Sequence, residues 1–354
     1  MTCNESKQPQ GLVMEVWELA DLVLKNRFKA ALESGEPGYP IFRDLRFAAR
    51  VELEALLDAV ALDRSWRAER INGESMILDG DGLFVAAYGS RKSTYCSCVF
   101  YVWASDIARA EAAIRRILDK AGATRITEPS FQIDWTFLTA RGELESASIE
   151  EVATDVLHDQ AYPEIRGGVH AFIARFLQAP ETVLVLQGPP GTGKTRLIRA
   201  ILGEISRRRS GKARALYTGD GKALASDEIF VRFITGRADA FVVEDADHLL
   251  KPRADGNEHL HRFLAIADGV VRAQGRKIIF STNLPNVGDL DDALIRPGRC
   301  FARVDVRALT SAEARALAAS LAGSDADKAA RVEHVIGGKP SGKCSVAEVY
   351  KALV

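Results

Sequence analysis

Apolar residues first recur at helical spacing between Gly11 and about Ala31 (Leu12, Val16, Leu19, Val23, Phe28), which predicts an amphipathic helix. The polar stretch 1–10 before it predicts no ordered element, and SGEPGYP at 34–40 breaks the pattern after it. A second helical pattern runs from about Asp44 to Leu62. Then the period changes. MILDGDGLFVAAYG sets a DG turn between two apolar runs, a hairpin signal, and STYCSCVFYVW at 93–103 reads as another strand. Ser105 is placed to cap a helix through Ala121 that stops at Gly122, and 124–140 reads as one or two further strands. The expectation is an α+β N-terminal domain over 1–145 that binds a substrate or partner. Ser148 and Glu151, three apart in SIEE, have capping-box spacing and predict a helix to about His158, hence a helical linker over 146–179.

From about Pro180 the rhythm is strand, loop, helix. TVLVLQ (182–187), ARALY (213–217), AFVVED (240–245), KIIFST (277–282) and FARVDV (301–306) are short and nearly continuously apolar. Such strands, separated by helices, indicate a parallel sheet covered on both faces. The core is therefore α/β over 180–308. Beyond Ala308, TSAE (310–313) and SVAE (345–348) are two more capping boxes, so 309–354 is expected to be a helical lid.

Composition narrows the classes. A chain of 354 residues predicts about two domains. Lys and Arg total 47 against 48 Asp and Glu, a balance that argues against a nucleic-acid coat and a polybasic membrane anchor; partners are expected to be neither nucleic acid nor membrane. No run approaches the ~20 apolar residues of a membrane span, and the acidic residues in the first 25 make a poor secretory signal. Five scattered cysteines (3, 96, 98, 300, 344) form no framework and fit a reducing, cytoplasmic setting.

The decisive run is GPPGTGKT at 188–195, a full match to the G-x-x-x-x-G-K-[ST] phosphate loop, following an apolar strand and opening a helix at Arg196. Gly188, Pro189, Pro190, Gly191, Thr192 and Gly193 supply a backbone whose N–H groups can converge on phosphates, at a helix N-terminus that favours anions. Lys194 reaches the terminal phosphates, the Thr195 hydroxyl suits Mg²⁺, and Arg196 follows on the first turn. ATP and Mg²⁺ are thus the expected cofactors.

Three further pieces complete the pattern. AFVVEDAD ends a strand with Glu244, at the metal position beside Thr195, and Asp245, at the water-activating position, in an order reversed from the usual Asp–Glu. Asp247 fits a structural role better. KIIFSTN puts Asn283, with Thr282 as second choice, where a polar group can stand by the γ-phosphate. DLDDALIRPGR at 289–299 sets Arg296 and Arg299 around a Pro-Gly turn, suited to reach a neighbouring subunit's nucleotide.

In this order the motifs resemble the AAA+ ATPases, in particular the AAA clade with its second region of homology, over residues 160–354. The resemblance implies Glu244 and Asp245 as the Walker B acids, Asn283 as sensor 1, Arg296 and Arg299 as arginine fingers acting in trans, and a homo-oligomeric ring, most often a hexamer. VVEDAD, ASDEIFVRFITGRADA, FLAIADGV at 263–270 and YPEIRGGVHAFIARFL at 162–177 are most similar to the AAA translocases of the mitochondrial Rieske iron–sulfur protein, whose membrane anchor is not expected here. The aromatic–hydrophobic–Gly loop of threading AAA unfoldases is missing between 218 and 239, where Phe230 and Phe233 read as helix core. Lys343 is a weak stand-in for a sensor-2 arginine. The expected function is ATP hydrolysis that remodels or translocates a protein client; the alternatives are a nucleic-acid remodeller or a slow nucleotide-controlled scaffold.

Smaller signals read as structure. Arg207, Arg208, Arg209, Lys212 and Arg214 follow the phosphate-loop helix, where the helix dipole favours cations. Cys96 and Cys98 lack a second Cys or His pair for a metal site, and His259 and His261, in a polar stretch, read as surface residues. Trp17, Trp66, Trp103 and Trp135 read as core or interface of the N-terminal domain.

Overall fold

The computed structural model describes residues 16–353 except 35–37, 93, 154, 210–212, 253–258, 268–274, 287, 289, 297, 324 and 339–341. Lys212, Asp289, Pro297 and the end of FLAIADGV therefore lie outside the described residues. The chain divides into two compact units after Thr127.

The first unit contains α1 (Val16–Glu33), β1 (Ile41–Ala49), α2 (Leu53–Ala61), β2 (Arg67–Arg70), β3 (Ser75–Gly80), β4 (Leu83–Arg91), β5 (Cys96–Ala104), α3 (Ile107–Ala121) and β6 (Arg125–Ile126). Its strands form an antiparallel sheet in the order β2-β3-β4-β5-β1-β6. Alternation sorts the side chains. Met76, Leu78, Val85 and Ala87 face a core with α2 and α3, while Ile77, Phe84 and Ala86 face Leu24 of α1. The helix expected over 44–62 is half strand: β1 pairs with β5 along all nine residues, Ile41↔Ala104 to Ala49↔Cys96, and α2 begins only at Leu53. Sheet partners on both sides of β1 override the helix-forming residues in it. Asp106, not Ser105, caps α3, accepting from the Arg109 N–H at 2.8 Å. The hairpin turn falls at Asp81–Gly82, as expected.

The second unit opens with β7 (Ser130–Leu138), β8 (Leu144–Val152) and α4 (Val169–Gln178). The core follows: β9 (Val183–Gln187), α5 (Lys194–Arg208), β10 (Ala213–Thr218), α6 (Gly221–Ala225), α7 (Asp227–Thr235), β11 (Ala240–Val243), α8 (Asp247–Leu250), α9 (Leu260–Ala267), β12 (Lys277–Thr282) and β13 (Cys300–Asp305). The last part is β14 (Leu309–Thr310), α10 (Ser311–Ala322), α11 (Ala326–Gly337), β15 (Lys343–Cys344) and α12 (Val346–Leu353). Seven strands order as β13-β9-β12-β11-β10-β7-β8, parallel except for β8. β9, β11 and β12 are buried on both faces: Leu184, Val242 and Ile279 face α4, α5 and the lid, and Val185, Phe241 and Phe280 face α7 and α9. Both C-terminal capping boxes form, Thr310 with Glu313 and Ser345 with Glu348.

Two expectations are corrected here. SIEE is not a helix start, because 144–152 is strand β8, paired with β7 from Ser130↔Val152 to Leu138↔Leu144. The boundary at 145 also moves: β7 pairs with β10 through Phe131↔Ala213 to Trp135↔Tyr217, so the hairpin, and Trp135 with it, belongs to the parallel sheet of the second unit. Among the described residues, no helix is long and apolar enough to cross a membrane.

Candidate active site

Three strands of one sheet end side by side, and each hands a functional segment to the same place. β9 runs into the phosphate loop, β11 into Glu244 and Asp245, and β12 into Asn283. The loop's shape needs glycine. Gly188 has φ 145°, and a Cβ there would stand 1.9 Å from the Val306 carbonyl oxygen. Gly193 has φ 98° just before α5, and its carbonyl accepts from the hydroxyl of buried Tyr162 at 3.0 Å. A cavity of about 560 Å³ opens here, walled by the loop, Lys194, Thr195, Arg196, the acid pair, Ser281 and Asn283, with Val346, Ala347 and Tyr350 of α12 closing it.

The polar side chains form two hydrogen-bonded groups that meet at the neighbouring residues Glu244 and Asp245. Thr195 Oγ1 donates to Glu244 Oε1 at 2.5 Å. Lys194 Nζ donates to Asn283 Oδ1 at 2.9 Å and to the Gly188 and Pro189 carbonyls at 2.6 and 3.0 Å. Asn283 Nδ2 donates to Asp245 Oδ1 at 2.9 Å. Asp245 has φ 50°, the sole non-glycine residue at positive φ among those described, a conformation Asp tolerates better than most and one that concentrates at functional sites. Burial lowers the Lys194 ammonium pKa, against the opposing pull of Asp245, Asp247 and Glu244. Three carboxylates against one lysine, with hard hydroxyl and carboxylate oxygens paired at Thr195 and Glu244, make a donor set suited to a divalent cation.

Asp247 and Thr282 are structural. Asp247 Oδ1 accepts from Thr282 Oγ1 at 2.6 Å and from the Asn283 N–H at 2.8 Å, which clamps the turn that presents Asn283. Arg196 lines the cavity beside Tyr350, its guanidinium 3.9 Å from the Tyr350 ring centre and bonded to Asp155. Arg296 is exposed, and Arg299 donates to the Ala293 carbonyl at 2.9 Å; neither lines this cavity. Lys343 sits on β15 and does not line it either, so the lid offers Tyr350 where a sensor-2 cation was sought. Phe230 and Phe233 are buried in α7, as expected.

Sequence reading missed several participants. Gln187, at the last position of β9, donates to the Leu284 and Asn286 carbonyls, both at 2.8 Å, and accepts from Arg303. Tyr217 donates to Glu244 Oε2 at 2.8 Å. Burial, then the Glu244 charge, raise the Tyr217 phenol above its ordinary pKa. A polar residue at or next to the carboxyl end of a core strand was the available signal for both. The basic run is neutralised locally: Arg207 and Arg208 bond Glu204, and Arg209 bonds Asp239. Cys96 and Cys98 are buried in β5, and no group of metal-ligating side chains is found among the described residues.

Residues 184–308 match the model of the ATPase family associated with various cellular activities (AAA), so the chain carries an AAA ATPase domain. It is 28% identical over 221 residues to an ATP-dependent zinc metalloprotease YME1 homolog of Caenorhabditis elegans, covering 59% of this chain and 28% of that protein. It is 28% identical over 195 residues to spastin of Drosophila persimilis (52% and 22%), and 28% identical over 219 residues to an AAA-ATPase of Arabidopsis thaliana (55% and 44%). The chain thus spans less than half the length of each.

Proposed function

We propose that this chain, through its AAA ATPase domain, hydrolyses ATP with Mg²⁺ at the interfaces of a homo-oligomeric ring and uses the cycle to remodel a protein client. The observation that carries this reading is the pair of hydrogen-bonded groups, Thr195–Glu244 and Lys194–Asn283–Asp245, side by side at a glycine-built loop. The loop N–H groups and Lys194 would hold the phosphates, and Thr195 with Glu244 would hold the metal, which supplies charge neutralisation at the phosphates. Asp245, bonded by Asn283, would accept a proton from an attacking water. Arg299 and Arg296 lie outside the chain's own cavity, which supports a role toward the nucleotide of an adjoining copy.

The acid order gives Asp245 one methylene less reach than a glutamate, and this favours, as a second reading, a slow switch in which ATP binding sets assembly. Steady-state phosphate release, together with mass in solution under ATP and ADP, tests both. Turnover that rises with assembly and falls at least about 100-fold in Arg299→Ala, with nucleotide binding retained, is the expected result. A strictly monomeric chain with undiminished turnover in that variant would sink the ring reading.

A further inference from the structure

Glu244 presents both carboxylate oxygens to protein donors. Thr195 holds Oε1 at 2.5 Å and Tyr217 holds Oε2 at 2.8 Å. Thr195 comes from the phosphate loop, but Tyr217 comes from β10, which contributes nothing else to the acid's side chain. Tyr217 is itself set from outside the nucleotide core. Its Cα partner on β7 is Trp135, and the two rings meet edge to face, centres 6.3 Å apart at 84°. Trp135 is half-exposed and sits on the hairpin that extends the sheet beyond β10.

A glutamate carries one more rotatable bond than an aspartate and must be held to present one oxygen reproducibly. A single donor fixes one oxygen and leaves the carboxylate plane free to turn; two donors from different elements, Thr195 on the first turn of α5 and Tyr217 on β10, fix the plane. We infer that Tyr217 is the positioning residue for Glu244 and that the β7–β8 hairpin, through Trp135, sets Tyr217, so that this appended edge tunes how tightly the site takes its divalent cation. The inference rests on the ATPase reading above and adds to it the reason a glutamate can serve at the metal position.

The test is a magnesium titration of the full chain bound to a fluorescent, non-hydrolysable ATP analogue, first in EDTA and then with added metal. Tyr217→Phe keeps the ring against Trp135 and removes only the hydroxyl. It is expected to leave metal-free nucleotide affinity unchanged and to raise the magnesium midpoint about tenfold, the size of one hydrogen bond to a charged group. Trp135→Leu, at a half-exposed position tolerant of change, is expected to raise the midpoint about threefold, the size of one aromatic pair. An unchanged midpoint in Tyr217→Phe overturns the inference and leaves the ATPase reading standing. An unchanged midpoint in Trp135→Leu overturns the hairpin's part. A wild-type chain whose nucleotide binding ignores magnesium overturns both the inference and the reading beneath it.

Discussion

The two sheets of this chain bury apolar residues in different ways, and the difference decides where chemistry can gather. In the antiparallel sheet of the first unit, neighbouring strands run in opposite directions, so their ends fall alternately on two edges. In the second unit β9, β10, β11 and β12 all run the same way. Strands buried on both faces have no room for polar groups along their length, so these appear at the ends, and parallel alignment brings the ends to one edge. Gln187, Tyr217, Glu244, Asp245 and Asn283 are the result. The first unit gathers no comparable cluster among its described residues, and its polar side chains pair in ones and twos at the surface, as in Arg91–Glu54 and Arg109–Asp81.

This contrast predicts that substitutions in the second sheet's edge act on turnover and those in the first sheet act on stability. Lys194→Ala should give the largest effect, lowering kcat/KM by about 1000-fold or more, because the ammonium acts on developing phosphate charge. Phosphate release and nucleotide titration check it, and near-normal turnover would break the contrast at once. Asp245→Asn keeps the shape and removes the proposed base, and should lower kcat by about 100- to 1000-fold while nucleotide still binds.

In the first unit, Leu57 is fully buried on α2 against the sheet. Leu57→Ala should destabilise that unit by about 3 kcal/mol. Hydrogen exchange resolved by unit should show the loss there, with turnover per folded molecule unchanged; protection lost equally from the second unit would mean that the two fold as one.

The smallest effect sharpens the comparison inside the second unit, at the entry to α10. The Arg307 hydrogen bonds to Glu313 are the main reason its carboxyl is lowered to about 2 from 4.5. A depressed carboxylate stabilises the fold above its unfolded pKa, and that contribution fades as pH falls from about 4.5 toward 2. Arg307 is 43% exposed, so solvent screening holds the gain below about 1 kcal/mol. Glu313→Gln should therefore lower thermal stability slightly at pH 7 and not at all near pH 2; an equal difference at both would assign the effect to the cap alone.

Much of the second unit was legible because its signals are local. GPPGTGKT, the strand before it and the helix after it are contiguous, and TSAE and SVAE close their boxes within one turn. The failures lie where distant partners decide. SIEE carries the residues of a capping box, but Ser148 sits across from Asp134 and bonds it at 2.7 Å, so the pairing of β7 with β8 prevails over the local motif. β8 shows no clean alternation because it is an edge strand with charged residues such as Glu145, Glu150 and Glu151 along it. RFAA within β1 suits a helix equally well, and only β5 and β6 make it a strand. Tyr217 was visible as a strand residue, but its aim at Glu244 depends on a parallel register that no local pattern encodes.

The hairpin at the sheet's edge also dictates where the second unit can be cut free. A fragment begun at residue 146, where the capping-box spacing of SIEE suggested a linker, would keep most of β8, discard β7, and strip β10 of the neighbour that satisfies its outer backbone groups. The bared strand would then seek a partner in another molecule, and clumping in the tube would masquerade as assembly. A start before Ser130 avoids that artefact.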